Sequence, residues 1–260
     1  MKKTKKLTFI EWNNQVFISS LRKIDLNILL IILLDALFYT ASGLLIFFWF
    51  QRVIQRIISF QVPTDIVSLG YEKANELVKD IRIFYIMLIA SFVLVILAII
   101  FLASILKGII WARTLKANVT FALISKFLIL NLIWMGFWLT LIILMSIVLD
   151  PAASAFIIGA SILISLYFTN TLYTIFMAEP RLRAILETIK INIMKIRFFI
   201  VPYFIIGLLS YILLRLNSLA KFKYSSIIAI IVMITLAAIV RYYHSTLVNQ
   251  LGKANEQPSK

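Results

Sequence analysis

The chain has no cysteine among its 260 residues, a single histidine, and eleven Asp and Glu against 26 Lys and Arg. Without cysteine there is no disulfide, no thiolate metal site and no cysteine nucleophile. One histidine, His244, cannot make a metal-binding pair, and no HExxH, Walker A or GxGxxG pattern is present. Charge is scarce as well: 14% of the residues are charged and 62% are hydrophobic, and the mean hydropathy is +1.01. A water-soluble domain of this length needs far more polar surface, so the composition is that of an integral membrane protein. The formal charge of +15 does not read as a nucleic-acid footprint, because the cations lie in short segments between apolar runs. They are placed as headgroup anchors facing anionic lipid.

What is abundant is apolar sequence in runs near the ~20 residues that cross a ~30 Å hydrocarbon core. Four are clear, 27–50, 83–106, 127–149 and 154–178, and two are shorter, 199–214 and 224–240. The short pair crosses if its flanking Arg and Lys snorkel or the bilayer thins. A re-entrant hairpin would put Arg215, Lys221 and Lys223 at mid-membrane, which is costly. The fold class expected is therefore all-α, an integral membrane bundle of six transmembrane helices with amphipathic cytoplasmic helices. It divides into a cytoplasmic basic tail and interfacial helix (1–26), a six-span membrane domain (27–240) and a cytoplasmic tail (241–260). With six spans, eighteen Lys and Arg fall on one side and eight on the other. The longest loop of the second side also carries Asp65, Glu72, Glu76 and Asp80. The positive-inside rule then places both termini in the cytoplasm of a cytoplasmic membrane. The first run is too long for a cleaved signal sequence and reads as a retained helix.

Local signals punctuate these runs. "TFIE" has the capping-box form, with Thr8 as cap and Glu11 reaching back. The helix it starts places Ile10, Phe17, Leu21 and Ile24 on one face, as for a helix in the membrane interface; a helix packed on the loops is the alternative. In "LDPAAS", Asp150 caps a helix that Pro151 opens, giving a tight hairpin between spans 3 and 4. "AEPRL" closes span 4, because the residue before Pro180 is pushed out of helical geometry. "QVPTD" breaks the segment 51–82, "YEKANELVKDIR" extends span 2 outward, and the whole segment is expected to cap the bundle. Trp49, Trp111, Tyr224, Tyr242 and Tyr243, at span ends, suit an aromatic belt, with His244 an interfacial residue beside the last two. "FISSLRKIDLNILL", "WARTLKANVTFALISKFLIL" and "ILETIKINIMKIRFFIVPYF" each set basic residues in an apolar frame before a span. They suggest three repeated units, or simply the common look of positive-inside segments. The layout of "AEPRLRAILETIKINIMKIRFFIVPYFIIGLL", an amphipathic helix feeding a span, resembles a group of prokaryotic six-span membrane proteins. The group includes the membrane domain attached to some glycerophosphodiester phosphodiesterases. The resemblance implies the six-span layout alone. No soluble phosphodiesterase domain accompanies it here, so neither enzymatic activity nor any functional residue carries over.

Chemistry-bearing residues inside the spans are few. Asp35 is the one acid deep in a run, ~12 Å from its cytoplasmic end at 1.5 Å per residue. Asn170 lies at matched depth on span 4, where Tyr167, Thr171 and Thr174 share its face at helical spacing. Span 3 contributes Asn131, and span 1 adds Tyr39 beyond Asp35. No buried cation stands out as a partner, Lys126 being too near its span end. Asp35 is therefore expected to be protonated at neutral pH and to pair with the amide of Asn170. Two uses follow: glue between helices, or a proton or cation site in a polar pathway. Neither a catalytic residue set nor a metal or other cofactor is indicated. The functional expectation is a non-enzymatic scaffold, accessory or lipid-interacting membrane component, with anionic membrane lipid as partner. A membrane protein partner or a homo-oligomer is also allowed. The alternative is a small transporter or channel built on Asp35.

Overall fold

The computed structural model describes residues 9–60, 70–219 and 224–256. These form eight helices and, among the described residues, no strand: α1 (Phe9–Leu21), α2 (Asn27–Ser59), α3 (Tyr71–Thr114), α4 (Phe121–Val148), α5 (Pro151–Ala178), α6 (Ala184–Met194), α7 (Ile196–Leu219) and α8 (Ser225–Glu256). Five are long and apolar enough to cross a membrane, namely α2, α3, α4, α5 and α8; the apolar stretch described in α7 is the shorter Ile206–Leu219. The protein is an all-α, multi-pass membrane bundle.

The helices overrun the apolar runs that define them. Once backbone hydrogen bonding is started, polar residues with good helix propensity continue it at little cost. α3 has 44 residues, or ~66 Å at 1.5 Å per residue, about twice the hydrocarbon thickness. α2 and α3 account for most of segment 51–82, as extensions of the two helices; "QVPTD" lies outside the described residues. Residues 241–256 are no tail, since α8 runs through them and Arg241 to Val248 are all buried. Of the two readings of the basic segments, three repeated units are not seen at the middle one. There α3 runs on to Thr114 and α4 begins at Phe121, with no separate helix between.

Helix ends follow local chemistry. α3 closes with the Lys116 N–H on the Arg113 carbonyl and the Ala117 N–H on the Ala112 carbonyl, at 3.2 and 2.8 Å. This closure puts Lys116 at φ 58°, a left-handed position usually held by glycine. Thr120 then accepts from the Leu123 N–H at 3.2 Å and caps α4. Asp150 accepts from the Ala153 N–H at 3.0 Å and caps α5, as its sequence announces. Thr8 lies outside the described residues. Ahead of α2, Asp25 accepts from the Asn27 N–H and pairs with Lys116 at 3.3 Å. Burial pushes the Asp25 carboxyl up, but hydrogen bonds from Lys116 and Asn27 outweigh it and hold the group below the ordinary Asp value. Its small contribution is complete above the unfolded-state value and disappears as pH falls through the lower folded value.

The chain forms two compact units, Leu37–Ala103 in one and Met1–Ala36 with Ser104–Lys260 in the other. In the first, Trp49 donates to Ser91 at 3.0 Å and the Phe60 and Phe84 rings meet at 5.2 Å, so the outer parts of α2 and α3 run antiparallel. The second unit holds the core, in three clusters. Phe127 and Trp134 of α4 pack with Trp111, Tyr173 and Phe176. Val16 of α1 packs with Phe199, Leu247 and Leu251. Ile31, Ile110, Ala238 and Tyr242 join α2, α3 and α8. Gly108 lets α4 approach α3 closely: a Cβ there would stand 2.8 Å from the Ile124 Cδ1 atom. Replacing the α4 cap, Thr120→Ala, is expected to lower stability by ~1 kcal/mol. Reversible unfolding in detergent checks it, and an unchanged midpoint would show that the cap is redundant.

Candidate functional site

The polar centre of the molecule is where α2, α3 and α8 meet. Asp35 stands eight residues after the start of α2 and Lys107 seven before the end of α3. In an antiparallel arrangement both lie about 10–12 Å from those ends. The Lys107 ammonium donates to Asp35 Oδ1 at 2.6 Å. From α8, Arg241 Nη2 donates to Asp35 Oδ2 at 2.9 Å and to Oδ1 at 3.3 Å. Asp35 is 0% exposed and Arg241 7%. The guanidinium also lies over the Trp111 ring, 5.6 Å from its centroid, which adds a cation–π contact.

Two cations against one carboxylate leave the cluster with a net positive charge. The arrangement fits the expected use of Asp35 as glue between helices. The carboxylate is the electrostatic tie between three helices. The expected protonated Asp35–Asn170 pair is not formed: Asn170 Nδ2 donates instead to the Tyr203 hydroxyl on α7, at 3.1 Å. The rotation of α5 turns Asn170 toward α7.

The other anticipated polar residues divide among separate contacts. On α5, Thr171 is buried, donates to Asn192 Oδ1 at 2.7 Å and stands 3.5 Å from His244 Nε2. The Tyr167 hydroxyl donates to the Asn192 carbonyl at 2.9 Å, and Thr174 bonds back to the Asn170 carbonyl within α5. Asn131, 0% exposed, donates to Ser104 at 3.0 Å and accepts from Tyr173 at 2.6 Å, joining α3, α4 and α5. Tyr39 is half exposed, its ring against Phe38. His244 is not interfacial but buried, its ring 5.3 Å from Phe199. Trp111, Tyr242 and Tyr243, expected in an aromatic belt, are core residues too, while Tyr224 stays exposed.

Lys107, Arg241, His244, Asn192 and Tyr203 are the site residues that sequence reasoning missed. Lys107 and Arg241 each stand one residue beyond an apolar run and so pass for loop cations. The available signal was the demand of Asp35 for a counter-charge, with Lys107 at matched depth on the next span. No family model, no curated protein and no solved structure matches this chain.

Removing one partner of a buried ion cluster costs ~3–5 kcal/mol when it strands a charge. Asp35→Asn strands two, whereas Lys107→Met leaves a neutral Asp35–Arg241 pair. Asp35→Asn is thus expected to lose at least ~3 kcal/mol and Lys107→Met clearly less, by thermal unfolding of the detergent-solubilised protein. An Asp35→Asn variant as stable as the parent would overturn the assignment.

Proposed function

We propose that the chain is a non-enzymatic component of a prokaryotic cytoplasmic membrane. On this reading it crosses six times, α7 included, has both termini inside, and works by engaging anionic lipid at the inner face. The observation that carries this reading is the inverted amphipathicity of the two short helices. α1 buries Asn13, Val16 and Ser20 and exposes Ile10 (78%), Phe17 and Leu21. α6 buries Ala184, Thr188 and Asn192 and exposes Leu186 (69%), Ile193 and Met194. A helix packed on a protein in water does the reverse. Small and polar residues turned inward, with large apolar ones outward, suit a helix whose outer face meets hydrocarbon. Exposed cations flank both helices, with Arg22 and Lys23 after α1 and Arg181, Arg183 and Arg197 around α6. Their stems can lie along the apolar layer while the charges reach headgroups. A membrane protein partner or a second copy of the chain competes for the same faces, and the test below separates them from lipid.

The positive-inside argument supports the orientation even after Lys107 and Arg241 are withdrawn from it as members of the ion cluster, leaving sixteen cations against eight. Reporter fusions at Asn118, Leu186 and the C-terminus are expected to report the cytoplasm; an external signal at Leu186 would defeat the six-span topology.

Thermal unfolding in vesicles tests the lipid engagement. Phosphatidylglycerol should raise the midpoint relative to phosphatidylcholine, and the difference should shrink as salt shortens the screening length to ~3 Å at 1 M. Equal midpoints in both lipids at low salt would refute the lipid reading. A rise that instead follows protein concentration would point to self-association.

A further inference from the structure

We infer that the groove between α1, α7 and α8 holds one acyl chain of an anionic membrane lipid, with the lipid's phosphate beside Arg197. The inference rests on the proposal that this end of the bundle engages anionic lipid, and it names the place and the chemistry.

α1 is fastened to α8 through Val16, which packs with Leu247, Val248 and Leu251. Beside that contact the three helices enclose a cavity of about 470 Å³. Leu236, Ile239 and Val240 of α8 form one wall, and Ile206 and Leu209 of α7 the other. Phe9, Ile10 and Phe17 of α1 close it. Two asparagines also line the space, but Asn13 uses both ends of its amide within the protein. It donates to the Phe9 carbonyl at 3.0 Å and accepts from the Tyr243 hydroxyl at 3.3 Å. The walls therefore present hydrocarbon and little that could orient a polar ligand. The volume lies within the ~300–1,000 Å³ of small-molecule sites, enough for a hydrocarbon chain and too little for a whole phospholipid.

Direction and charge identify the occupant. From Tyr243 to Leu236 the groove follows α8 for seven residues, ~10 Å along the helix axis. It thus leads from the level of α1 along a helix long and apolar enough to cross the membrane, as a lipid tail would. At the α1 end, Phe9 packs on Phe198 at 5.6 Å, and the exposed Arg197 guanidinium lies over that same ring at 5.0 Å. An apolar slot with an exposed cation at one end complements a lipid whose headgroup carries a net negative charge better than a zwitterionic one.

The test uses the purified full chain in detergent, with phosphatidylglycerol or phosphatidylcholine carrying a photoreactive group near the end of one acyl chain. Adducts are mapped by peptide mass spectrometry. They should concentrate on the peptides holding Phe9–Phe17 and Leu236–Tyr243, more strongly for phosphatidylglycerol. Arg197→Gln, one cation fewer at the headgroup, should cut phosphatidylglycerol labelling there ~5-fold and phosphatidylcholine labelling by less. Leu209→Trp, which narrows the groove, should reduce both. Adducts scattered along the outer faces of the spans would overturn the assignment, with or without the variants. So would a dimeric mass with an unlabelled groove, which would reveal a second copy as the occupant. Scattered adducts together with salt-sensitive stabilisation by phosphatidylglycerol would leave the lipid reading standing and remove only the groove.

Discussion

A carboxylate that is 0% exposed, held between a lysine on one helix and an arginine on another, is the interaction on which the rest of this bundle depends. In a medium of low dielectric constant none of the three charges can be left alone, so α2, α3 and α8 cannot part without stranding one. The tie also fixes rotation, because each side chain must point at a common centre. Arg241 passes the constraint on through Trp111, which belongs to the α3–α4–α5 core.

Elsewhere the helices are joined by neutral polar contacts. Trp134 donates to Thr169, Tyr173 to Asn131 and Thr171 to Asn192, at 2.8, 2.6 and 2.7 Å. Between helices in lipid the hydrophobic effect gives little preference for contact, so close packing and interhelical hydrogen bonds carry more of the association. The same reasoning explains why α1 and α6 bury Asn13, Ser20, Thr188 and Asn192 and expose leucine and isoleucine. The contacts across to other helices are made by Asn13, which accepts from Tyr243, and by Asn192, which accepts from Thr171.

The apolar runs, the Asp150 cap and the break at Pro180 were legible in the sequence, because each rests on a property of a few neighbouring residues. Five helices long and apolar enough to cross a membrane follow from that alone. The ends of the helices were not legible, since α8 continues through Arg241, Tyr242, Tyr243 and His244, a stretch whose polarity suggests a tail. Burial there comes from α2 and α3 around Arg241 and Tyr242 and from α1, α5 and α7 around Tyr243 and His244, which no local pattern shows. The site was half legible. Asp35 stood out as a group needing a partner. Depth alone, however, cannot say which way a helix is turned. Asn170 therefore passed for the partner while it faced Tyr203, and Lys107 passed for a headgroup anchor.

The most direct measurement of the central claim is a double-mutant cycle between Asp35 and Arg241, read as unfolding free energy in a fixed detergent. Asp35→Asn, Arg241→Gln and the double variant should show a coupling near the upper end of the ~0.5–3 kcal/mol seen for contacting residues. The double variant should then be more stable than Asp35→Asn alone. Additive losses, with no recovery in the double variant, would contradict an ion cluster as the bond that joins these helices.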